Sequence, residues 1–470
     1  MPELVAAGCS GSAAHVLIGV ASATVALVDP RWRTVLAVTV LASNNMRIRT
    51  CDERSYSGAV DETQTALQRR TVGTLVTSQV LGGVGTASGI AVMALLTKQV
   101  SGSEALAGLG TTAQVLGGAL LAIPVARLSA ARGRRPGLVL GYGVATAGAA
   151  LVIAAAILAS FPLLLLGSLL FGGGTAAGSQ SRFAGADLAA PHRRGRDLSL
   201  VVWATTIGSV AGPNLVGVAD RLGLSLGLPE MAGSFLFALA GFAAAALVLT
   251  LLLRPDPLLE ARRRAALTPS PGPAPAARGG VAALRAHPTA LVAVLVVALG
   301  HAVMVAVMVM TPIHMDHGGA SLQLVGLVIS VHIFGMYVFS PLVGGAVDRL
   351  GPRPVAGAGG LVLVLACVLA ATSDEGMSTH LTVALFLLGL GWSCTLVSGS
   401  TMLTDAVTLA ERPQAQGVSD TVMGLMAAAG GVLAGVVIAA ASYSVLAWAS
   451  AVLAALVCVA AARPTGRRVG

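Results

Sequence analysis

Length, composition and charge exclude most classes of soluble protein. The chain has 470 residues, of which 55% are hydrophobic and only 10% are charged, and its mean hydropathy is +0.84. Soluble domains carry roughly a quarter charged residues, so a soluble enzyme, a nucleic-acid-binding protein and a disordered scaffold are all disfavoured. The formal net charge of +9 must therefore be interpreted from the positions of the basic residues. The five cysteines are scattered without ligand spacing, so neither a metal nor a cofactor is predicted.

Twelve apolar segments follow one another along the chain from residue 71 onward. Each is long enough to cross a hydrocarbon core about 30 Å thick, which requires about 20 apolar residues. The first six are predicted at 71–96, 107–127, 136–158, 161–181, 198–219 and 231–254. The second six are predicted at 288–311, 321–346, 353–373, 380–404, 417–440 and 442–461. We therefore expect an all-α integral membrane fold with twelve transmembrane helices, numbered spans 1 to 12.

The arginines alternate between the loops that connect these spans. Twenty of them follow spans 2, 4, 6, 8, 10 and 12, whereas the opposite loops hold only Lys98 and Arg221 as basic residues. Arg182 is counted among the twenty and is interpreted as an orientation charge. Since basic residues are retained in the cytoplasm, this bias predicts the plasma (inner) membrane, with both ends of the twelve-helix unit cytoplasmic. The use of arginine in place of lysine indicates a bacterium with a GC-rich genome.

The remaining segments complete the predicted organisation of the chain. The expected divisions are an N-terminal extension at 1–70, six-helix bundles at 71–254 and 288–461, a linker at 255–287 and a tail at 462–470. Residues 1–45 are expected to lie outside the bundle, with Met46 as an alternative start, or else to supply a thirteenth hydrophobic element. Within the cytoplasmic linker, the Pro-, Ala- and Gly-rich stretch 268–280 is expected to be an extended or disordered tether.

The two halves of the chain repeat one another. Gly133 and Gly351 stand 218 residues apart in corresponding loops, and Gly195 and Gly417 stand 222 residues apart. The two offsets differ by only four residues, which a difference in loop length explains. Together with the six-plus-six pattern of spans, this predicts pseudo-symmetric halves with a substrate site between them near mid-membrane.

Two motifs resemble those of the major facilitator superfamily (MFS). The loop after span 8 is similar to the family's gating-loop signature G-x-x-x-D-R-x-G-x-R, carried by Gly344, Asp348, Arg349, Gly351 and Arg353. The loop after span 2 keeps Gly133, Arg134 and Arg135 but has Ala130 in place of the aspartate. Span 5 resembles the G-x-x-x-G-P-x-x-G element of the drug/proton antiporter branch, at Gly208, Gly212, Pro213, Asn214 and Gly217. The resemblance implies a secondary transporter that works by alternating access, and not an enzyme.

Ionisable side chains are rare within the predicted spans. His301 and His332 fall near the middle of spans 7 and 8, where a histidine either exchanges protons or hydrogen-bonds between helices. Asp405 and Asp420 flank the loop between spans 10 and 11, either as coupling or gate residues or as helix caps. These four residues are the predicted proton-coupling candidates.

A cavity between the halves is expected to bind the solute. Its candidate lining residues are Gln79, Gln114, Trp203, Met304, Met308, Tyr337, Trp392, Thr395 and Ser398, each alternatively a helix-packing residue. Methionines and aromatic rings suit amphipathic solutes, and the lack of a central fixed charge argues against strongly charged ones. We expect proton-coupled efflux of a small amphipathic solute by a monomer. A solute importer of the same fold and a non-transporting membrane receptor or scaffold are the alternatives.

Overall fold

The computed structural model describes residues 58–104, 106–267, 278–376 and 378–463, with side chains from residue 65 onward except those of Leu322 and Gln323. The predictions for residues 1–57, 268–277 and 464–470 lie outside the described part. Its residues from Thr63 onward belong to one compact unit.

The described residues contain twelve helical segments long and apolar enough to cross a membrane, and no strand. In the first half, the helices are Gly58–Ser101, Ala107–Arg132, Arg134–Ile157, Phe161–Phe171 continued by Gly173–Ala184, Arg194–Ser225, and Gly233–Leu252. In the second half, they are Pro288–His317, Leu322–Tyr337 continued by Ser340–Leu350, Pro352–Ala371, Thr379–Ala406, Arg412–Ala440, and Tyr443–Ala462. The predicted all-α fold with twelve spans is confirmed.

Each half has its own apolar core. In the first half, Tyr142, Phe171 and Phe242 are buried together with aliphatic side chains of spans 1, 3, 4 and 6. The larger second core is built mainly from spans 7, 8, 9, 10 and 12 and includes Trp392. Because lipid tails are as apolar as leucine, such packing depends on close fit, and small residues supply it.

Glycines in corresponding turns support the predicted repeat. Gly133 ends span 2 at φ +98° and Gly351 ends span 8 at φ +90°, a backbone region that only glycine adopts readily. Gly195 in span 5 packs against Gly344 in span 8, and Gly417 in span 11 packs against Ala126 in span 2. The two halves therefore meet through equivalent pairs of helices.

Most of the stretch predicted as a tether, residues 268–280, lies outside the described part of the chain. On either side of residues 268–277, the linker contains the helices Pro257–Leu267 and Gly280–Ala286. The first is stabilised by Glu260, which accepts hydrogen bonds from Arg263 and Arg264, three and four residues later on one helix face. Asp256 at its start accepts a 2.7 Å bond from the backbone N–H of Arg135, which attaches the linker to the loop after span 2.

We call the end of the bundle that carries the loops after spans 2, 4, 6, 8 and 10 the basic face. Two shifts in helix boundaries matter there. Span 4 continues to Ala184 and span 11 begins at Arg412, so each helix extends further toward the basic face than predicted. As a result, Arg182 and Asp420 lie inside helices rather than in or beside a loop.

Candidate functional site: a buried polar gate on the basic face

Five buried polar side chains join the two halves at the basic face, and we call them the gate cluster: Arg134, Gln180, Arg182, Gln416 and Asp420. Arg182 of span 4 donates a 2.5 Å hydrogen bond to Oδ1 of Asp420 in span 11. Gln180, also of span 4, donates a 2.6 Å bond from Nε2 to Oδ2 of the same carboxylate. Both carboxylate oxygens of Asp420 are therefore bound by the opposite half.

Arg134 extends the cluster toward the loop after span 2. Its Nε and Nη2 donate to the two oxygens of Asp187, at 2.6 and 3.2 Å, in a pair whose side chains are both 0% exposed. Its Nη2 also donates a 2.6 Å bond to Oε1 of Gln416 in the second half. Its Nη1 lies 3.4 Å from Oε1 of Gln180. Arg134, predicted as a gating-loop residue, thus contacts both halves.

The Arg182–Asp420 pair is strongly withdrawn from solvent. The side chain of Arg182 is 4% exposed and that of Asp420 is 2% exposed. Ser400 of span 10 accepts a 3.2 Å bond from Nε of Arg182, and the carbonyl of Ser179 accepts one of 2.9 Å from Nη1. A buried charge that loses its partner is costly, so this pair favours the closed arrangement of the two helices. Arg182 therefore lies buried in an ion pair between the halves, and not in a loop where its interpretation as an orientation charge had placed it.

Two shallower contacts flank the gate cluster. Arg194 of span 5 donates a 2.5 Å bond to Asp405 of span 10, and the Asp405 side chain is 41% exposed. Asp348 of span 8 accepts bonds of 2.8 and 2.9 Å from the backbone N–H groups of Gly195 and Arg196 at the start of span 5. A carboxylate at a helix N-terminus is favourable because the N–H groups there lack helical partners. All ion pairs between the two halves that involve described residues lie on the basic face.

The other gating-loop residues lie around these contacts. Gly344 faces Ser199 and the backbone of Gly195, and no larger residue would fit between them. Arg349 is exposed, and Arg353 donates to the carbonyl of Arg463. Arg135 is held by Asp256 through its backbone, as described above. The aspartate absent at Ala130 has no replacement on its own helix.

The span 5 motif brings span 5 against span 1. A Cβ on Gly208 would meet the backbone of Gly83 at 2.5 Å, and one on Gly212 would meet Ala87 at 2.4 Å. The helix continues through Pro213, and Asn214 is exposed and donates to the carbonyl of Val210. A Cβ on Gly217 would meet only the end of the Arg221 side chain, at 3.9 Å. The first two glycines are therefore packing positions, and the sharp bend that Gly212-Pro213 could introduce does not interrupt the helix.

Three rings lie together in the second half. Trp392 of span 10 donates a 2.7 Å bond from Nε1 to Nδ1 of His301 in span 7, and Tyr337 of span 8 packs edge-on against Trp392 with centroids 5.5 Å apart. The charge of Arg182 lies close enough to act on both His301 and Tyr337. We call these three residues the aromatic cluster. It places His301 next to the gate cluster.

The remaining candidates occupy less accessible positions. His332 is 0% exposed and its Nδ1 is 2.8 Å from the carbonyl of Leu385, so it bonds between spans 8 and 10. Gln79 bonds Thr205 between spans 1 and 5, and Gln114 is buried in span 2. The hydroxyls of Thr395 and Ser398 bond to carbonyls of their own helix. Met304 is buried, whereas Met308 and Trp203 are half-buried. Their roles stay predictions.

Sequence reasoning missed Gln180, Asp187 and Gln416. Each stands next to a segment that was interpreted as a charged loop, where glutamine and aspartate are ordinary solvated residues. One available signal was the small and apolar character of the residues around Arg182 and Asp187, which favours burial of any charge among them. Gln180 and Gln416 both contact Arg134 from distant parts of the chain, and no pattern in a single sequence indicates such contacts.

Outside the spans, Glu411 holds the loop before span 11. Burial raises the pKa of its carboxyl, but hydrogen bonds from Thr408 and His287 outweigh that effect and leave the pKa below its ordinary value of 4.5. Arg278 lies 3.6 Å from the same carboxylate. This carboxylate therefore connects the second part of the linker to the start of span 11.

Twelve spans in two halves, joined by buried polar contacts, define the chain as a multi-pass membrane protein. A family model described as Major Facilitator Superfamily matches residues 75–321 and 290–468, and the chain belongs to that superfamily. YdeG, an uncharacterized MFS-type transporter of Bacillus subtilis, is 41% identical over 412 residues, covering 87% of this chain and 95% of the relative. The predicted membership of the superfamily and the exclusion of an enzyme are confirmed.

Two further similarities bear on fold and solute. The riboflavin transporter RfnT of Brucella anthropi is 28% identical over 399 residues, covering 84% of this chain and 96% of the relative. The proton:xylose symporter XylE matches in structure with a TM-score of 0.65 at 16% identity, covering 84% of this chain and 95% of XylE. At that identity the structural match establishes the fold alone.

Proposed function

We propose that this transporter exports a small neutral or weakly cationic amphiphile in exchange for protons, by alternating access. The basic face lies in the cytoplasm, and the protein resides in the plasma (inner) membrane, acting as a monomer. The observation that carries this proposal is the buried carboxylate of Asp420, which the opposite half holds through Arg182 and Gln180. A charge in that position makes closure of the basic face depend on its protonation state.

Asp420 is the preferred coupling residue among the four candidates. As a carboxylate it attracts Arg182 and keeps the basic face closed. Once it takes a proton, the Coulomb attraction disappears and the halves separate on that side. Asp405 is less suited because its pair with Arg194 is accessible to water and so contributes little. His301 serves as a second proton site beside the solute, and His332 stays a structural residue within the second half.

The aromatic cluster supports an amphipathic solute. Trp392, Tyr337 and His301 offer flat apolar surfaces with polar edges, and Met308 adds an adaptable apolar contact. Export in particular is supported by the antiporter-like element of span 5, whose Gly208 and Gly212 hold span 5 tightly against span 1.

A second candidate is uptake of a flavin-like solute. RfnT, which is 28% identical, is named a riboflavin transporter, and a flavin ring combines the flat aromatic surface and polar edges that the aromatic cluster would accommodate. This candidate uses the same gate cluster with the opposite direction of net transport.

Everted membrane vesicles test both candidates. Vesicles energised to acidify the lumen are given ethidium as a cationic probe and riboflavin as a neutral one. Proton antiport accumulates a probe in the lumen, and Asp420→Asn abolishes the accumulation. Asp405→Asn is the matched control, because it removes the exposed carboxylate and should retain at least half of the activity. Expulsion of riboflavin from preloaded vesicles on acidification would instead establish uptake. Transport that is insensitive to the gradient would contradict proton coupling.

A further inference from the structure

The gate cluster contains a side chain whose orientation depends on the charge of its neighbour. We propose that the Gln180 amide is a proton-state relay, which reverses when Asp420 is protonated and thereby loosens Arg134 from its contact with the second half. This inference rests on the proposed role of Asp420 in proton coupling. It assigns Gln180 as a positioning residue that links two otherwise separate contacts between the halves.

The present orientation of the amide fits a charged Asp420. Nε2 of Gln180 donates to Oδ2 of Asp420 at 2.6 Å, and Oε1 of Gln180 faces Nη1 of Arg134 at 3.4 Å. A carboxylate only accepts hydrogen bonds and a guanidinium only donates them, so one amide orientation satisfies both neighbours. The side chain of Gln180 is 0% exposed, and no bulk water is available to replace either bond.

Protonation of Asp420 makes this orientation unfavourable. Oδ1 faces the guanidinium of Arg182, which cannot accept a hydrogen bond, so the added proton resides on Oδ2. Oδ2 then becomes a donor that faces the NH₂ group of Gln180, also a donor. Rotation of the amide by half a turn restores the bond, with Oε1 of Gln180 accepting from Asp420.

The same rotation affects Arg134. It turns the NH₂ group of Gln180 toward Nη1 of Arg134, where two donors face each other without an acceptor. Arg134 is fixed by Asp187 on its other side, and its remaining bond to the second half is the 2.6 Å contact from Nη2 to Gln416. One proton on Asp420 therefore weakens two connections between span 11 and the first half. One is the ion pair of Asp420 with Arg182 of span 4, and the other is the bond from Arg134 of span 3 to Gln416.

The charged and titratable groups around Asp420 come from several helices. Arg182 of span 4 donates to Asp420, and Arg134 of span 3 contacts Gln180 beside it. His301 of span 7 and Tyr337 of span 8, both in the aromatic cluster, are the titratable groups on which the charge of Arg182 also acts. Arg412 stands two turns earlier on span 11 and donates to the carbonyl of Thr404. Of these groups, Asp420 alone is connected to Arg134 through an amide that both donates and accepts.

The test measures gate opening without any solute. Spin labels at Arg132→Cys and Leu350→Cys, two exposed positions on the basic face in opposite halves, report the open-to-closed ratio of the purified protein from about pH 4 to about pH 9. The quantity of interest is the factor by which acid increases that ratio. Gln180→Met and Gln180→Asn, the latter too short to reach both neighbours, should reduce this factor about tenfold.

Gln416→Met tests the other end of the relay. It removes an equally buried glutamine that bonds Arg134 across the interface but does not contact Asp420. Without that bond the relay has no contact with the second half to loosen, so the factor should fall as it does in the Gln180 variants. Gln68→Met is the matched control, because it removes a buried glutamine that bonds only within the first half, and it should leave the factor unchanged. An unchanged factor in both Gln180 variants or in Gln416→Met, or an equal loss in Gln68→Met, overturns the relay. A wild-type ratio that does not respond to pH overturns proton coupling through Asp420 itself, and with it the relay.

Discussion

Replacement of Asp420 by asparagine should open the basic face at neutral pH. The variant retains the shape of the side chain but removes the charge that attracts Arg182. The carboxylate accepts two bonds, of 2.5 and 2.6 Å, and bonds that involve a charged group contribute about 1.5–3 kcal/mol each. Asparagine keeps one acceptor, so a loss of about 2 kcal/mol from the closed state is expected, roughly a thirtyfold fall in the closed-to-open ratio.

The assay is the distance distribution between spin labels at Arg132→Cys and Leu350→Cys, in a background without the native cysteines. We expect the short distance of the closed state in the parent protein at neutral pH, and a dominant longer distance in Asp420→Asn. Acidification should open the parent protein and leave the variant unchanged. A variant with the parent distribution at both neutral and acidic pH would refute the argument, because Asp420 would then contribute nothing to closure.

Four other predictions follow from particular contacts. Gly344→Val should prevent closure of the basic face, because Ser199 and Gly195 leave no room for the valine side chain. Gly345→Val should be tolerated, since the surroundings of Gly345 are open. Transport into vesicles compares the two variants. Gly208→Leu should lower Tm sharply by separating spans 1 and 5, and Gly217→Ala should not. Trp392→Phe removes the bond to His301 and should weaken probe binding about tenfold, measured by fluorescence titration. The pKa of Glu411 is lowered in the folded protein, so its carboxylate contributes stability above pH 4.5 and loses that contribution as the pH falls through the lowered pKa. Glu411→Gln should therefore remove this acid dependence of Tm in thermal unfolding.

The fold was predictable because the membrane restricts it so strongly. Twelve apolar segments, alternating arginines and paired glycines each reflect one requirement, namely that a chain in lipid satisfies its backbone in helices and keeps charges outside. Helix ends were less predictable. Span 11 begins five residues before its predicted start, because Arg412 and Gln416 are polar yet buried, Arg412 against Thr404 of span 10 and Gln416 against Arg134 of the first half.

The site was predictable only as single residues and not as contacts between them. Asp420 and Arg134 were identified as candidates from their positions near the basic face, but their partners were not. Arg182 looked like a loop charge because it precedes a polar segment, and only its contact with span 11 distinguishes a gate residue from an orientation charge. Contacts such as Arg134–Gln416 join residues 282 positions apart, and no local pattern encodes them.

We propose that Asp420 exchanges a proton as the solute binds. The direct test counts the protons released when a transported probe, ethidium or riboflavin, is added to purified protein in weakly buffered solution with a pH indicator. The parent protein should release about one proton per bound probe, and Asp420→Asn should release none. Equal proton release from the two proteins, or binding without any release in the parent protein, would contradict it.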